Sequence, residues 1–257
     1  MHKTCILKIY RGTPGNQYWE EFELELRPFL NITSALMEIQ RNPVTKNNNR
    51  VTPVSWEQGC LEEVCGSCSM LINGRPRQGC TALIHKLIEA TGSNVVTLAP
   101  MTKFPLVKDL VVDRSQMFEN LKKIKAWVDV DDSFDKGFGP KISPQVQEAM
   151  YTLSTCMTCG CCTEACPQVN NNSKFVGPAT ISQARLFNAH PVGNLTAQER
   201  LRPLMEEGGI SDCGNAQNCV EVCPKSIPLT ESIAVIGRQV VRQAWKDMIS
   251  VPDEDKK

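Results

Sequence analysis

The sequence predicts an α+β protein in two parts. A small sheet carrying one helix spans residues 1–105, and an all-α part follows over residues 106–257. Two patterns carry this reading. Phe22, Leu24 and Leu26 alternate with Glu23, Glu25 and Arg27, the period of two of a half-buried strand. Beyond Pro105 apolar residues recur at spacings of three and four instead, the signature of helices with one buried face.

Each element follows in order. Cys5-Ile6-Leu7-Lys8-Ile9-Tyr10 reads as the first strand and the Phe22 alternation as the second. Thr33 or Ser34 is expected to cap a short helix through Ala35, Leu36 and Ile39. Asn42-Pro43 should end it, because a proline disfavours helical backbone in the residue before it. Ser69-Met70-Leu71-Ile72 runs into Asn73-Gly74, a strand entering a hairpin turn. Val95-Val96-Thr97-Leu98 is the last strand of the sheet. Residues 106–128 show helical spacing, with Lys122, Lys123 and Lys125 on a solvated face. Ile233, Ile236, Val240, Ala244 and Met248 mark a C-terminal helix, and Pro252–Lys257 read as a frayed tail.

Composition narrows the function. The 257 residues are 41% apolar with zero formal net charge, so nucleic acid, which calls for a basic surplus, is not an expected partner. No apolar run approaches the length of a membrane span, and the first residues resemble neither a secretory signal nor a transit peptide. The chain is expected to be soluble or peripheral. There is no GxGxxG loop, no Walker-type loop and no nucleophile–base constellation, so substrate chemistry on this chain has little support.

Cysteine is the outlier. Thirteen are present and clustered, and an odd, clustered set in an unexported chain points to metal rather than disulfides. Cys60-x4-Cys65-x2-Cys68, with Cys80 further on, has the plant-type spacing for a [2Fe–2S] cluster. Gly59, Gly66 and Gly79 suit a loop that wraps a cluster closely. A structural zinc site is the competing reading, but of these cysteines only Cys65 and Cys68 have the C-x2-C spacing of a zinc knuckle.

A repeat follows. Residues 156–167 read C-x2-C-x2-C-x3-C-P, and residues 213–224 repeat the run with Ala216 in the second cysteine slot. In two-cluster ferredoxins the fourth cysteine of each run ligates the other run's cluster. Cys156, Cys159, Cys162 and Cys223 then form a four-thiolate [4Fe–4S] set. Cys166, Cys213 and Cys219 form a three-thiolate set that suits [3Fe–4S]. Pro167 and Pro224 should terminate the helical turns. Cys161 reads as a packed thiol beside a cluster, and Cys5 as part of the first core. His2, His85 and His190 lack the pairing a Rieske centre needs, and His190 reads as structural. Glu62 and Glu63, which stand close enough to Cys65 to lower a cluster's potential, read as a solvated loop.

On these residues the chain resembles the iron–sulfur subunits of succinate dehydrogenase and fumarate reductase, respiratory complex II. The resemblance covers nearly the whole chain: Ser34–Pro43, Cys60–Cys80, Arg114–Trp127, Cys156–Pro167 and Cys213–Pro224. It implies an N-terminal β-grasp, plant-type ferredoxin domain and a C-terminal helical ferredoxin domain. It implies electrons passing from a FAD-containing flavoprotein subunit through [2Fe–2S], [4Fe–4S] and [3Fe–4S] to a cytochrome b type membrane anchor with haem and quinone. Members that reduce ubiquinone beside the third cluster carry two tryptophans where this chain has Asn170 and Asn171, and a histidine at Gly214. The resemblance therefore points to bacterial members with a di-haem anchor working with menaquinone. The expected location is peripheral, on the cytoplasmic face of the bacterial inner membrane. Fumarate reduction, the same relay reversed, and a soluble ferredoxin-like shuttle are the alternatives.

Overall fold

The computed structural model describes residues 3–129 and 141–249. The expected C-terminal tail and His2 lie outside the described residues. The chain forms two compact units, each discontinuous in sequence. The first comprises 1–114, 157–165 and 222–224; the second comprises 115–156, 166–221 and 225–257.

The first unit is built on a five-stranded sheet whose strands lie in the order β2 (Asn16–Glu25), β1 (Thr4–Thr13), β5 (Val95–Ala99), β3 (Ser69–Ile72) and β4 (Arg75–Gln78). Strand β1 (Thr4–Thr13) buries Cys5, Leu7, Ile9 and Arg11 on one face, as its alternation requires. Strand β2 (Asn16–Glu25) pairs antiparallel to it, with Leu7 opposite Phe22. Helix α1 (Ile32–Arg41) packs Ile32, Ala35, Leu36 and Ile39 into the core. Its cap is Asn31, not Thr33 or Ser34: Ser34 N and Thr33 Oγ1 both donate to Asn31 Oδ1 at 2.8 Å. A carboxamide in extended backbone fills the capping role, and the two hydroxyl residues fall inside the first turn. The helix stops at Arg41, ahead of Asn42-Pro43 as expected.

Strands β3 (Ser69–Ile72) and β4 (Arg75–Gln78) form the anticipated hairpin, with Asn73 at φ 50° and Gly74 at φ 76°. Helix α2 (Ile84–Thr91) was not anticipated; eight residues give too short an apolar pattern, though Gly92 at φ 70° closes it in left-handed backbone. Strand β5 (Val95–Ala99) runs parallel to β1. Residues 106–112 depart from the helical expectation. They form two short strands, β6 (Leu106–Lys108) and β7 (Val111–Val112), turned at Asp109. The Asp109 carboxylate is buried and claimed by Gly12 N at 2.7 Å, Ser55 N at 2.8 Å and the Arg11 guanidinium at 3.5 Å. Those bonds hold the turn against the local apolar spacing.

The second unit is helical. Its main helices are α3 (Ser115–Lys123), α4 (Pro144–Ser154), α6 (Pro178–Ala189), α7 (Ala197–Leu201) and α9 (Leu229–Ile249); α5 (Cys161–Ala165) belongs to the first unit, and α8 (Asn218–Glu221) is a single turn here. Ile124, Phe175, Ile181, Leu201, Leu204, Ile236 and Val240 form its core. Arg200 is 1% exposed and spends its guanidinium on Lys125 O, Trp127 O, Asn188 Oδ1, Gly193 O and Thr196 Oγ1 at 2.7–3.1 Å. Complete satisfaction of this kind is what a buried guanidinium requires. The expected stripe on α9 holds at Ile236 and Val240, but Met248 is 77% exposed and Gln243 is the buried residue near that end.

Candidate metal centres

The first loop, Gly59–Cys68, enters left-handed backbone repeatedly, with Leu61 at φ 62°, Glu63 at 59° and Gly66 at 74°. Such alternation turns successive N–H groups to one side and makes a concavity for negative charge. The sulfurs sit in it. Cys60 Sγ accepts from the N–H groups of Glu62, Val64 and Cys65 at 3.2–3.4 Å. Cys65 Sγ accepts from those of Cys60 at 3.3 Å and Ser67 at 3.5 Å. The Ser67 hydroxyl, then the backbone donors, hold the Cys65 thiol down to about 6. Burial pushes Cys80 up to about 12, helped by its hydrogen bond with Cys68 and the charge of Cys60. The four cysteines of the plant-type motif therefore share one neighbourhood. Glu63 turns to the Thr81 hydroxyl at 2.7 Å on the exposed side.

The second loop is packed against the first within the same unit. A β-carbon on Gly66 would lie 2.8 Å from Met157 O and 3.0 Å from Cys159 Cα. Helix α5 is anchored by Glu164, whose buried carboxylate accepts from Thr102 N, Thr102 Oγ1 and Lys103 N at 2.7–2.9 Å. Cys159 is held down to about 7, chiefly by the Cys161 thiol. Cys161 is fully buried and is pushed up by that same hydrogen bond and by burial, so it is a packed thiol as anticipated. Residues 222–224 join this unit, which places Cys223 with the segment that holds Cys159 and Cys162, sixty residues earlier in the chain. Cys156, the chain neighbour of Met157, is counted in the other unit.

The third group lies in the second unit. Cys166, Cys213, Cys219 and Ala216 line one small cavity together with Phe175, Pro178 and Ile233. Burial pushes Cys219 up to about 11, with the neighbouring Cys166 and Cys213 thiols adding to it. The loop repeats the backbone of its counterpart: Thr158 and Gly160 have φ 51° and 85°, and the matching Asn215 and Gln217 have 52° and 65°. The helical turns α5 and α8 then follow at equivalent positions.

All thirteen cysteines are unbridged. The donor sets fit iron–sulfur clusters. They are soft sulfurs only, the exposed loop aims N–H groups at them, and the third set lines one cavity together with Ala216. The other candidates are structural. Lys122, Lys123 and Lys125 pair with Glu119, Glu206 and Glu199, giving the solvated face expected of that run. His190 Nδ1 accepts the Gly193 N–H at 3.3 Å. Sequence reasoning missed Gln78. This buried side chain on β4 touches Cys68, Ser69 and Cys161, and nothing in the local sequence singles it out.

Comparison with known proteins finds iron–sulfur domains over the same segments. Residues 6–119 match a family model described as a 2Fe-2S iron-sulfur cluster binding domain, and residues 152–227 one described as a 4Fe-4S dicluster domain. The chain is 56% identical over 230 residues to the succinate dehydrogenase iron-sulfur subunit of Bacillus subtilis, covering 90% of this chain and 89% of that protein. It is 27% identical over 247 residues to the fumarate reductase iron-sulfur subunit of Wolinella succinogenes, covering 94% and 99%. A chain of the Mycobacterium smegmatis Sdh1 complex in the apo form shares the fold, with TM-score 0.75 and 23% identity over 95% and 98% of the two chains. The fold is thus the expected one, a sheet-based [2Fe–2S] ferredoxin domain followed by a helical ferredoxin domain. Sulfur geometry, both domain matches and near-full-length identity converge: the chain belongs to the iron–sulfur subunits of succinate dehydrogenase and fumarate reductase, which transfer electrons through iron–sulfur clusters as part of an oxidoreductase complex.

Proposed function

We propose that the chain is the electron relay of a membrane-bound succinate:quinone oxidoreductase of the tricarboxylic acid cycle and respiratory chain. It takes electrons from a FAD-containing flavoprotein subunit and delivers them to a cytochrome b type, di-haem membrane anchor and menaquinone. The [2Fe–2S] cluster is held by Cys60, Cys65, Cys68 and Cys80. The [4Fe–4S] cluster is held by Cys156, Cys159, Cys162 and Cys223, and the [3Fe–4S] cluster by Cys166, Cys213 and Cys219. When bound, these clusters change charge one electron at a time. The chain's own groups fix the sulfurs, point N–H dipoles at them and keep water from the buried ones.

The observation that carries the ligand sets is the crossing. Cys166 lines the cavity of Cys213 and Cys219, while Cys223 falls in the unit of Cys159 and Cys162. The Bacillus subtilis relative supports succinate oxidation as the working direction. Two features support a quinone site unlike that of the ubiquinone-reducing members. Gly214 is pressed against Gln168, where a β-carbon would lie 2.3 Å from Nε2, and Asn170 folds back to donate to Pro167 O at 3.1 Å. Among the described residues no helix is long and apolar enough to cross a membrane. In this reading the anchor subunit supplies membrane attachment, and the chain is peripheral on the cytoplasmic face.

The test is electron paramagnetic resonance of the purified complex at poised potentials, with iron and sulfide analysis. Three centres and about nine irons per chain are expected. Zinc without acid-labile sulfide would end the relay reading. Isolated membranes should oxidise succinate faster than they reduce fumarate with quinol. The opposite ratio would favour a fumarate reductase, and a chain that purifies alone with three working centres a soluble shuttle.

A further inference from the structure

Backbone N–H groups serve the sulfurs of Cys60 and Cys65, but the polar group facing the sulfur of Cys68 is a side chain. Gln78 is 1% exposed at the end of β4, and its Oε1 stands 3.4 Å from Cys68 Sγ. Its Nε2 donates to Ser69 Oγ at 2.8 Å and reaches toward Cys161 Sγ at 3.6 Å. The Ser69 hydroxyl donates to Gly66 O at 2.7 Å, and Arg114 Nη1 donates to the same carbonyl at 2.9 Å.

This arrangement satisfies a thiol at Cys68, whose hydrogen goes to Oε1. A ligating Cys68 has no such hydrogen, and its sulfur can then only accept. An amide oxygen against it would be a buried acceptor facing a buried acceptor. A half-turn of the carboxamide removes the conflict. Nε2–H then meets Cys68 Sγ, and Oε1 meets Ser69 Oγ, whose hydroxyl rotates to donate to it. Gly66 O loses the serine and keeps Arg114. The turn exchanges the Ser69–Gly66 hydrogen bond for one from Ser69 to Oε1 and gives up the long contact to Cys161 Sγ, a weak acceptor.

We propose that Gln78 is a positioning residue for the first centre: its amide N–H donates to the ligating sulfur of Cys68, Ser69 latches it in that orientation, and the reduction potential of the centre is raised in consequence. The inference rests on the ligand set Cys60, Cys65, Cys68 and Cys80 proposed above. A donor to a ligating sulfur stabilises the more negative, reduced state, so its removal moves the potential down.

The test is a redox titration of the [2Fe–2S] resonance in the purified complex carrying Gln78→Met, which keeps the length and shape of the side chain without an N–H. A negative shift of that midpoint and altered g-values are expected, with the other two centres unmoved. A residue that only fills space predicts an unchanged midpoint, and that result overturns the proposal. Ser69→Ala frees the latch and should move the same midpoint in the same direction by less. If Gln78→Met fails to retain the centre, Ser69→Ala decides alone: a negative shift supports the proposal and no shift overturns it. Absence of a [2Fe–2S] resonance from the unaltered complex is a different failure, that of the relay reading itself, and it takes this inference with it.

Discussion

Gly66 and Cys159 touch backbone to backbone: a β-carbon on Gly66 would lie 3.0 Å from the Cα of Cys159 and 2.8 Å from the carbonyl oxygen of Met157. Two cysteine loops ninety residues apart in sequence are thus packed at the one residue type that permits it. Gly66 also sits at φ 74°, where a side chain is disfavoured by about 1–2 kcal/mol. Gly66→Ala should therefore destabilise the first unit by about 2 kcal/mol or more once the overlap is added. Thermal unfolding and iron content measure this; wild-type values for both would refute the close packing.

The crossed cysteines give a sharper outcome. Cys223→Ala should abolish the [4Fe–4S] resonance and spare the third centre. Cys166→Ala should do the reverse, although Cys166 is the last cysteine of the first run. Paramagnetic resonance of the two variants checks this, and the opposite pattern would assign each cysteine to its own run.

Ala216 supplies the methyl in the cavity of Cys166, Cys213 and Cys219. Ala216→Cys should offer a fourth thiolate there and convert the third centre to [4Fe–4S]. The resonance of the oxidised three-iron centre should then disappear. Its persistence in a variant with full iron content would show that position 216 does not face the cluster.

Acidity separates Cys65 from Cys80 once the metal has been stripped. Cys65 is held down to about 6 from an ordinary 9.0, so it stays a reactive thiolate at neutral pH. The stability this supplies is complete above the ordinary thiol value and is lost as pH falls through about 6. Cys80 is raised to about 12, and the preference of the fold for its neutral thiol is lost as pH rises toward that value. Alkylation of chelated protein at pH 7, read by peptide mass, should label Cys65 and leave Cys80 untouched. Equal labelling would show that the loop is not preorganised.

The strands and cysteine motifs were legible because their signals are local. Phe22 and Leu24 alternate with charge, and Asn73-Gly74 fits the left-handed hairpin turn it occupies. The capping residue of α1 was missed because Asn31, Thr33 and Ser34 compete as caps, and backbone geometry decides in favour of the carboxamide. Residues 106–112 were misread because Asp109, held by Gly12 and Ser55, imposes a turn that no nearby residue encodes. The role of Gln78 was invisible for the same reason. Its three partners are supplied by the Cys60–Cys80 hairpin region and by Cys161, and only the folded unit brings them together.

The first unit does not close at its own end of the chain. It recruits 222–224 after the polypeptide has already laid down most of the helical unit. A nascent chain on the ribosome can therefore form the sheet and the Cys60 loop early, yet the compartment around Cys159 and Cys162 waits until Pro224 has emerged. A polypeptide cut short before residue 222 thus loses part of the first unit along with the end of the second.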